Sequence, residues 1–301
     1  MPDLDTRPLE GPYLDVYDDP ALAWRQIGDT VPWGLKVQGW PRNQARAIEE
    51  ARRRYPDVRL VLCPGVDGVA RDWRKDRDSS RAVRTLVEIA DGCVALEIGH
   101  LVYDPETAWK SEDATEREVL ASIAHEAMVA VRAKHPSLTL AITSYGFPAR
   151  ATKASGGGYG GHSSFPWRGW LDGGVTYLGQ TYDVPEKLIR YEVLAQKSFA
   201  EAVTRGMIAP GTPRLVEVQT HGNTPDDLVT VGTSTPATFF WAAGSSRRFD
   251  AQGALGWRAC LALWRAGCWG EGALAAWQVA HELPSDGALT DVTLEVMGLA
   301  R

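Results

Sequence analysis

The chain lacks most of the short signatures from which chemistry is read in sequence. Its four cysteines, Cys63, Cys93, Cys260 and Cys268, form no CxxC pair in 301 residues. Their apolar flanks predict packed, reduced thiols rather than a disulfide framework. No HxH or HExxH spacing sets two histidines on one metal, and no GxSxG presents a serine nucleophile. The glycine-rich run "SGGGYGGH" lacks the Lys-Ser/Thr that ends a phosphate-binding loop, so it is read as a mobile lid over residues 151–164. No stretch of about 18 apolar residues occurs, so nothing is predicted to span a membrane. An excess of positive charge is also missing. With 32 Lys and Arg against 38 Asp and Glu, the net charge of −6 excludes general nucleic-acid electrostatics. The opening "MPDLDTRPLEGPY" has neither a basic nor an apolar leader region. It predicts cytoplasmic synthesis without a signal peptide, with release or attachment to a particle as the later fate.

What is present is an alternation of short apolar strands with amphipathic helices. "YLDVYD", "WGLKVQGW", "VRLVLCPG", "CVALEIGH", "LTLAITSYG", "VTYLGQTYD", "RLVEVQTHG" and "GALAAWQVA" read as eight strands. Helical segments such as "RNQARAIEEARRRYPD" and "SSRAVRTLVEIADG" stand between them, the latter stopped by Gly92. Residues 223–248 read as less regular. This pattern predicts a single (β/α)8 TIM-type barrel over residues 1–301, with an N-terminal extension of 1–12 and a C-terminal tail of 283–301. An open, doubly wound sheet is the alternative.

Active sites of such barrels lie at the C-terminal ends of the strands, and the predicted ends are polar. They offer Asp15, Lys36, Gln38, Trp40, Asp67, Glu97, His100, Asp104, Tyr145, Gln180, Tyr182, Asp183, Glu217, Gln219, His221 and Trp277. Carboxylates move protons, amides bond hydroxyls and flat rings stack on sugar faces, so this rim suits a polyhydroxylated ligand. Glycoside hydrolysis needs two carboxyls about 5–9 Å apart. Glu97, flanked by Leu96 and Ile98, is the candidate general acid, and Asp15, Asp183 or Glu217 the second carboxyl. Gln38, Trp40, Tyr145, Gln180, Tyr182, Gln219, His221 and Trp277 are the candidate substrate contacts. His100, His162 and His221 have no ligand spacing, so neither a metal nor another cofactor is expected.

Several of these motifs resemble the phage-type β/α-barrel lysozymes of glycoside hydrolase family twenty-five and looser phage-encoded barrels. "YLDVY" places Asp15 where that family opens its first strand. "ALEIG" sets Glu97 in the place of the catalytic Glu of its fourth-strand Asp-x-Glu, with Ala95 instead of the Asp. "TSYGFP…HSSFPWRGW…VTYLGQTYD" and "VEVQTHG" are similar to strands five to seven of such barrels. The resemblance implies a lysozyme-like hydrolase of polysaccharide or peptidoglycan. Its alternative is a non-catalytic, structural or glycan-binding barrel among the proteins of a phage tail or contractile injection particle.

Overall fold

The computed structural model describes residues 4–17, 19–150, 162–182, 188–245 and 249–299. The predicted lid lies mostly outside the described residues. Eight parallel strands close into one barrel in chain order: β1 (Gly11–Val16), β2 (Gly34–Gln38), β3 (Arg59–Cys63), β4 (His100–Tyr103), β5 (Thr139–Tyr145), β6 (Thr176–Thr181), β7 (Arg214–Gln219) and β8 (Ala237–Ala243). The pairing of β8 with β1, Gly11 opposite Ala237 and Tyr13 opposite Phe239, completes the ring. Outside it lie α1 (Pro20–Ile27), α2 (Pro41–Arg54), α3 (Asp67–Asp76), α4 (Ser79–Ala95), α5 (Ala114–Lys134), α6 (Trp167–Leu171), α7 (Leu188–Thr204), α8 (Pro225–Gly232), α9 (Ala251–Arg265), α10 (Ala273–Ala280) and α11 (Asp291–Val296). No helix among the described residues is long and apolar enough to cross a membrane.

Two elements differ from the sequence reading. "CVALEIGH" is not a strand: α4 runs on to Ala95, and β4 begins only at His100. Gly92 does not stop the helix. A Cβ there would stand 2.7 Å from the Cβ of Pro41, so this glycine lets α2 approach α4. The stop comes at Glu97, in the left-handed region at φ 57°, whose amide bonds the Val94 carbonyl while Ile98 bonds that of Cys93. "GALAAWQVA" is likewise the helix α10, in keeping with its alanines. The eighth strand is "ATFFWAA", inside the segment read as irregular.

Alternation along the strands sorts side chains into an outer layer beneath the helices and a narrow interior. The interior middle is apolar, with Val61, Val102, Leu178 and Leu215, and Tyr13 stacks on Phe239 at 4.7 Å. Gly34 makes room for that tyrosine, since a Cβ would lie 2.3 Å from its ring. The N-terminal segment closes the bottom. Arg59 donates to the carbonyls of Arg7 (2.8 Å) and Pro8 (2.9 Å) and to the Asp5 carboxylate (3.0 Å). It also approaches His100 Nε2 at 3.3 Å. Because guanidinium only donates, that nitrogen accepts and Nδ1 carries the proton.

Burial first, then the Arg59 charge, lowers the His100 pKa from 6.5 to about 4. The unfolded chain therefore takes up this proton more readily than the folded one. Stability contributed by neutral His100 should be lost as the pH falls from about 6.5 towards 4. We predict that His100→Gln, which keeps an acceptor for Arg59, will show a shallower fall of Tm over that range than the wild type. Equal slopes in parallel thermal melts would refute this.

Candidate functional site

Above the apolar middle the barrel interior turns polar. Parallel register sets Asp15 of β1 directly beside Lys36 of β2. The Lys36 ammonium lies 2.8 Å from Asp15 Oδ2 and 2.9 Å from Glu217 Oε2, and all three side chains are sealed from solvent. These are ion-pair contacts without ideal hydrogen-bond angles. Gln38 Nε2 donates to Asp15 Oδ2 at 3.1 Å. Glu217 accepts from the Thr143 hydroxyl on one oxygen and from the Tyr182 hydroxyl, at 2.6 Å, on the other.

Burial would raise both acids, but they respond differently. Glu217 ends below the ordinary glutamate range, because Lys36, Thr143 and Tyr182 together outweigh desolvation. Asp15 ends well above the aspartate range: desolvation, with Glu217 adding to it, overcomes Lys36. Lys36 itself stays charged, its desolvation overcome by Asp15 and Glu217. A protonated lysine locked between acids is no amine nucleophile.

A second group of acids follows β4. Asp104 ends the interior face of that strand, with Oδ1 buried and unbonded. Desolvation, then Glu106 and Glu217, pushes its carboxyl far up. Glu106, two residues on, is half-buried and raised by desolvation and by Asp67, against a hydrogen bond from Gln180. Asp67, at the start of α3, accepts from the Glu106 amide (2.9 Å) and the Ala108 amide (3.1 Å), which fixes this loop. Rings form the facing wall. Tyr182 stacks on Trp241 of β8 at 4.7 Å, and Tyr17 meets Trp241 edge-on at 5.8 Å.

The structure thus brings together Asp15, Glu217, Gln38, Gln180 and Tyr182 from the sequence-predicted set. Tyr145 stands nearby, its hydroxyl 3.0 Å from that of Thr107. Trp40 donates to the Gly65 carbonyl at 2.9 Å, Gln219 to the His221 carbonyl at 3.0 Å, and His221 lies 6.1 Å from the Trp241 ring. Asp183 lies outside the described residues. Glu97 does not belong to the site. It is exposed, at the turn before β4 and hence at the opposite end of the barrel, because α4 extends through the expected strand. Trp277 is also absent from the mouth. It is buried in α10, stacked on His281 at 4.0 Å, while its neighbour Gln278 anchors the tail through Asp286 and Ala288.

Sequence reasoning placed Asp104 on the rim without giving it a role, left out Glu106 and missed Trp241. The signal for the acids was "DPE" directly after the apolar "HLVY". An Asp-x-Glu spacing, which Ala95–Glu97 lacks, occurs at Asp104–Glu106, at the C-terminal end of β4. Trp241 could have been found from the aromatic run "TFFW". His100, His162 and His221 do not converge, and among the described residues no group of three or more His, Cys, Asp or Glu could hold a metal ion.

No protein-family model matches the chain, and no curated protein matches it in sequence. Among solved structures, active domain 2 of a thermostable chitinase from Pyrococcus furiosus is similar, with a TM-score of 0.54 and 11% identity over 87% of this chain and 97% of that one. An endo-β-N-acetylglucosaminidase from Cordyceps militaris has a TM-score of 0.46 and 12% identity over 84% and 90% of the two chains. An N-acetylneuraminate lyase from Mycoplasma synoviae has 0.44 and 8% over 96% and 79%. At such identities the chitinase likeness is one of fold, and it supports the TIM-type barrel. Nothing in these comparisons bears on a phage lysozyme.

The buried triad makes a direct prediction. Lys36→Met leaves two buried carboxyls without their cation and should cost about 3–5 kcal/mol of stability at pH 7. The loss should shrink as the pH is lowered towards 4, where the abandoned carboxyls take up protons. Urea titrations at both pH values measure this, and a pH-independent loss would contradict it.

Proposed function

We propose that the chain is a glycoside hydrolase that cleaves a polysaccharide at the C-terminal mouth of the barrel, with Glu106 as proton donor. One observation carries this reading. Two carboxyls in one mouth are driven apart in proton affinity, Glu106 upward by burial and Asp67, Glu217 downward by Lys36 and its hydroxyl donors. Such a pair provides an acid for the leaving oxygen and a fixed negative charge for the positive character that develops on the sugar. Asp104, protonated by its surroundings, can donate a hydrogen bond beside Glu106. The Tyr182–Trp241 wall offers ring faces for stacking. The Asp104–Glu106 pair also restores the Asp-x-Glu of the lysozyme resemblance, so peptidoglycan joins chitin and β-glucan as a substrate to test. The chitinase domain that shares the fold was crystallised with chito-oligosaccharides, which fits this reading without carrying it.

Reducing-sugar release from peptidoglycan, chitin and β-glucan tests the proposal. Cleavage of one of them is expected, and Glu106→Gln should lower the rate about 10²–10⁴-fold with the fold intact. Glu97→Gln should leave the rate unchanged. An acid of raised pKa stays protonated to higher pH, so the falling limb of kcat/KM should lie above the ordinary glutamate range and vanish in the Gln variant. A wild-type rate in Glu106→Gln would overturn the assignment. Binding of a glycan without any cleavage would instead support a non-catalytic barrel, such as a phage-tail or injection-particle component.

A further inference from the structure

Lys36 and Lys110, both described cations of the mouth, differ in their partners. Lys36 is sealed between Asp15 and Glu217 and is closed to any ligand. Lys110 is different. It follows the Glu106 loop, is half-exposed, and makes no ion pair with a described carboxylate. Its ammonium instead rests over the ring of Tyr145, 3.7 Å from the centroid.

That ring is held firmly. Its hydroxyl meets Thr107, and His162 stacks on it in parallel at 3.6 Å. An ammonium and an imidazole at nearly equal heights cannot share one face, so they cover opposite faces of Tyr145. His162 is buried, and neither ring nitrogen has a partner. With both faces covered, Tyr145 is no sugar-stacking surface. It is a pedestal that sets the height of the Lys110 charge at the rim, next to Glu106 and Asp67.

We infer that Lys110, seated on Tyr145, is a specificity residue that receives a carboxylate carried by the substrate, making the preferred glycan an acidic one. This rests on the hydrolase reading above and names its substrate class. A cation–π contact leaves the ammonium hydrogens free to donate, and a carboxylate takes them with charge assistance. Beside the acids Glu106 and Asp67, this charge attracts an anionic sugar that those acids repel, so it also fixes the position of the chain along the groove. Burial lowers the Lys110 pKa from 10.5 to about 8, against the pull of Glu106 and Asp67, which agrees with an ammonium that lacks a close counter-ion. The carboxylate could be the C6 group of a uronic acid or a lactyl ether on an amino sugar.

Matched tetrasaccharides separate these sources. Binding by the Glu106→Gln protein is measured calorimetrically for cellotetraose against its tetraglucuronic counterpart. The second pair is chitotetraose against a tetrasaccharide of alternating N-acetylglucosamine and N-acetylmuramic acid. In one pair the acidic member should bind about tenfold tighter or more. Lys110→Met should abolish that preference while keeping the affinity for the neutral member, which also shows that the variant is folded. Lys110→Arg should retain it, and the preference should weaken at high salt and above about pH 8. Equal affinity within both pairs, or a preference that survives Lys110→Met, would overturn the inference and leave the hydrolase reading standing if a neutral glycan is cleaved by the wild type. Failure to bind any of the four, with no glycan cleaved by the wild type, would overturn both.

Discussion

The arrangement of the mouth depends on one buried ammonium. A lysine without water is tolerated only with anionic partners in contact, and parallel register supplies the first of them by setting Asp15 beside Lys36. Glu217 reaches the same nitrogen from β7. One cation between two acids leaves one negative charge too many for a dry interior. The opposite shifts of the two carboxyls show how this is resolved. Glu217 has three further claims on its charge, from Lys36, Thr143 and Tyr182, and Asp15 has fewer. The triad therefore moves towards one cation, one anion and one retained proton.

That local neutrality determines what the neighbouring acids experience. Asp104 and Glu106 make no direct ion pair with Lys36, and burial together with the neighbouring acids raises both. The mouth accordingly has two electrical sides. On one, a carboxylate is held ionised by fixed donors. On the other, carboxyls keep their protons to higher pH, with Lys110 as the cation at their edge. Barrel geometry produces this division: the donors to Glu217 come from β2, β5 and the end of β6, while Asp67, Asp104 and Glu106 follow β3 and β4.

Much of the fold was legible in the sequence, because period-two apolar runs separated by amphipathic helices survive without knowledge of contacts. The failures came where a residue served tertiary packing rather than local structure. Gly92 resembles a helix stop, but it is a point of close approach to Pro41 inside α4. Taking it as the stop moved the predicted strand towards the N-terminus and carried Glu97 into a site it does not occupy. At the other end of the chain, the apolar alanine run of α10 imitated a buried strand, while "ATFFWAA" was obscured by its irregular surroundings. Trp277 entered the predicted rim by that exchange, and Trp241 was left out.

The candidate site shows the same limit at finer scale. Residue types at strand ends were readable: Asp15, Gln38, Gln180, Tyr182 and Glu217 all converge on the mouth. Their pairing was not readable, because it depends on barrel register and on the closure of β8 against β1. Lys36 was readable as a residue of the rim, but only the closed ring shows that its partners are Asp15 and Glu217. The proton affinities then follow from that pairing rather than from local flanks. Leu96 and Ile98 suggested a buried carboxyl at Glu97, yet that residue lies exposed in the turn before β4. Glu106, with only proline before it and threonine after it, gains its altered environment from Asp67, Gln180 and the buried interior beneath. An apolar flank in sequence is thus a weaker guide to a buried carboxyl than position at the C-terminal end of a barrel strand.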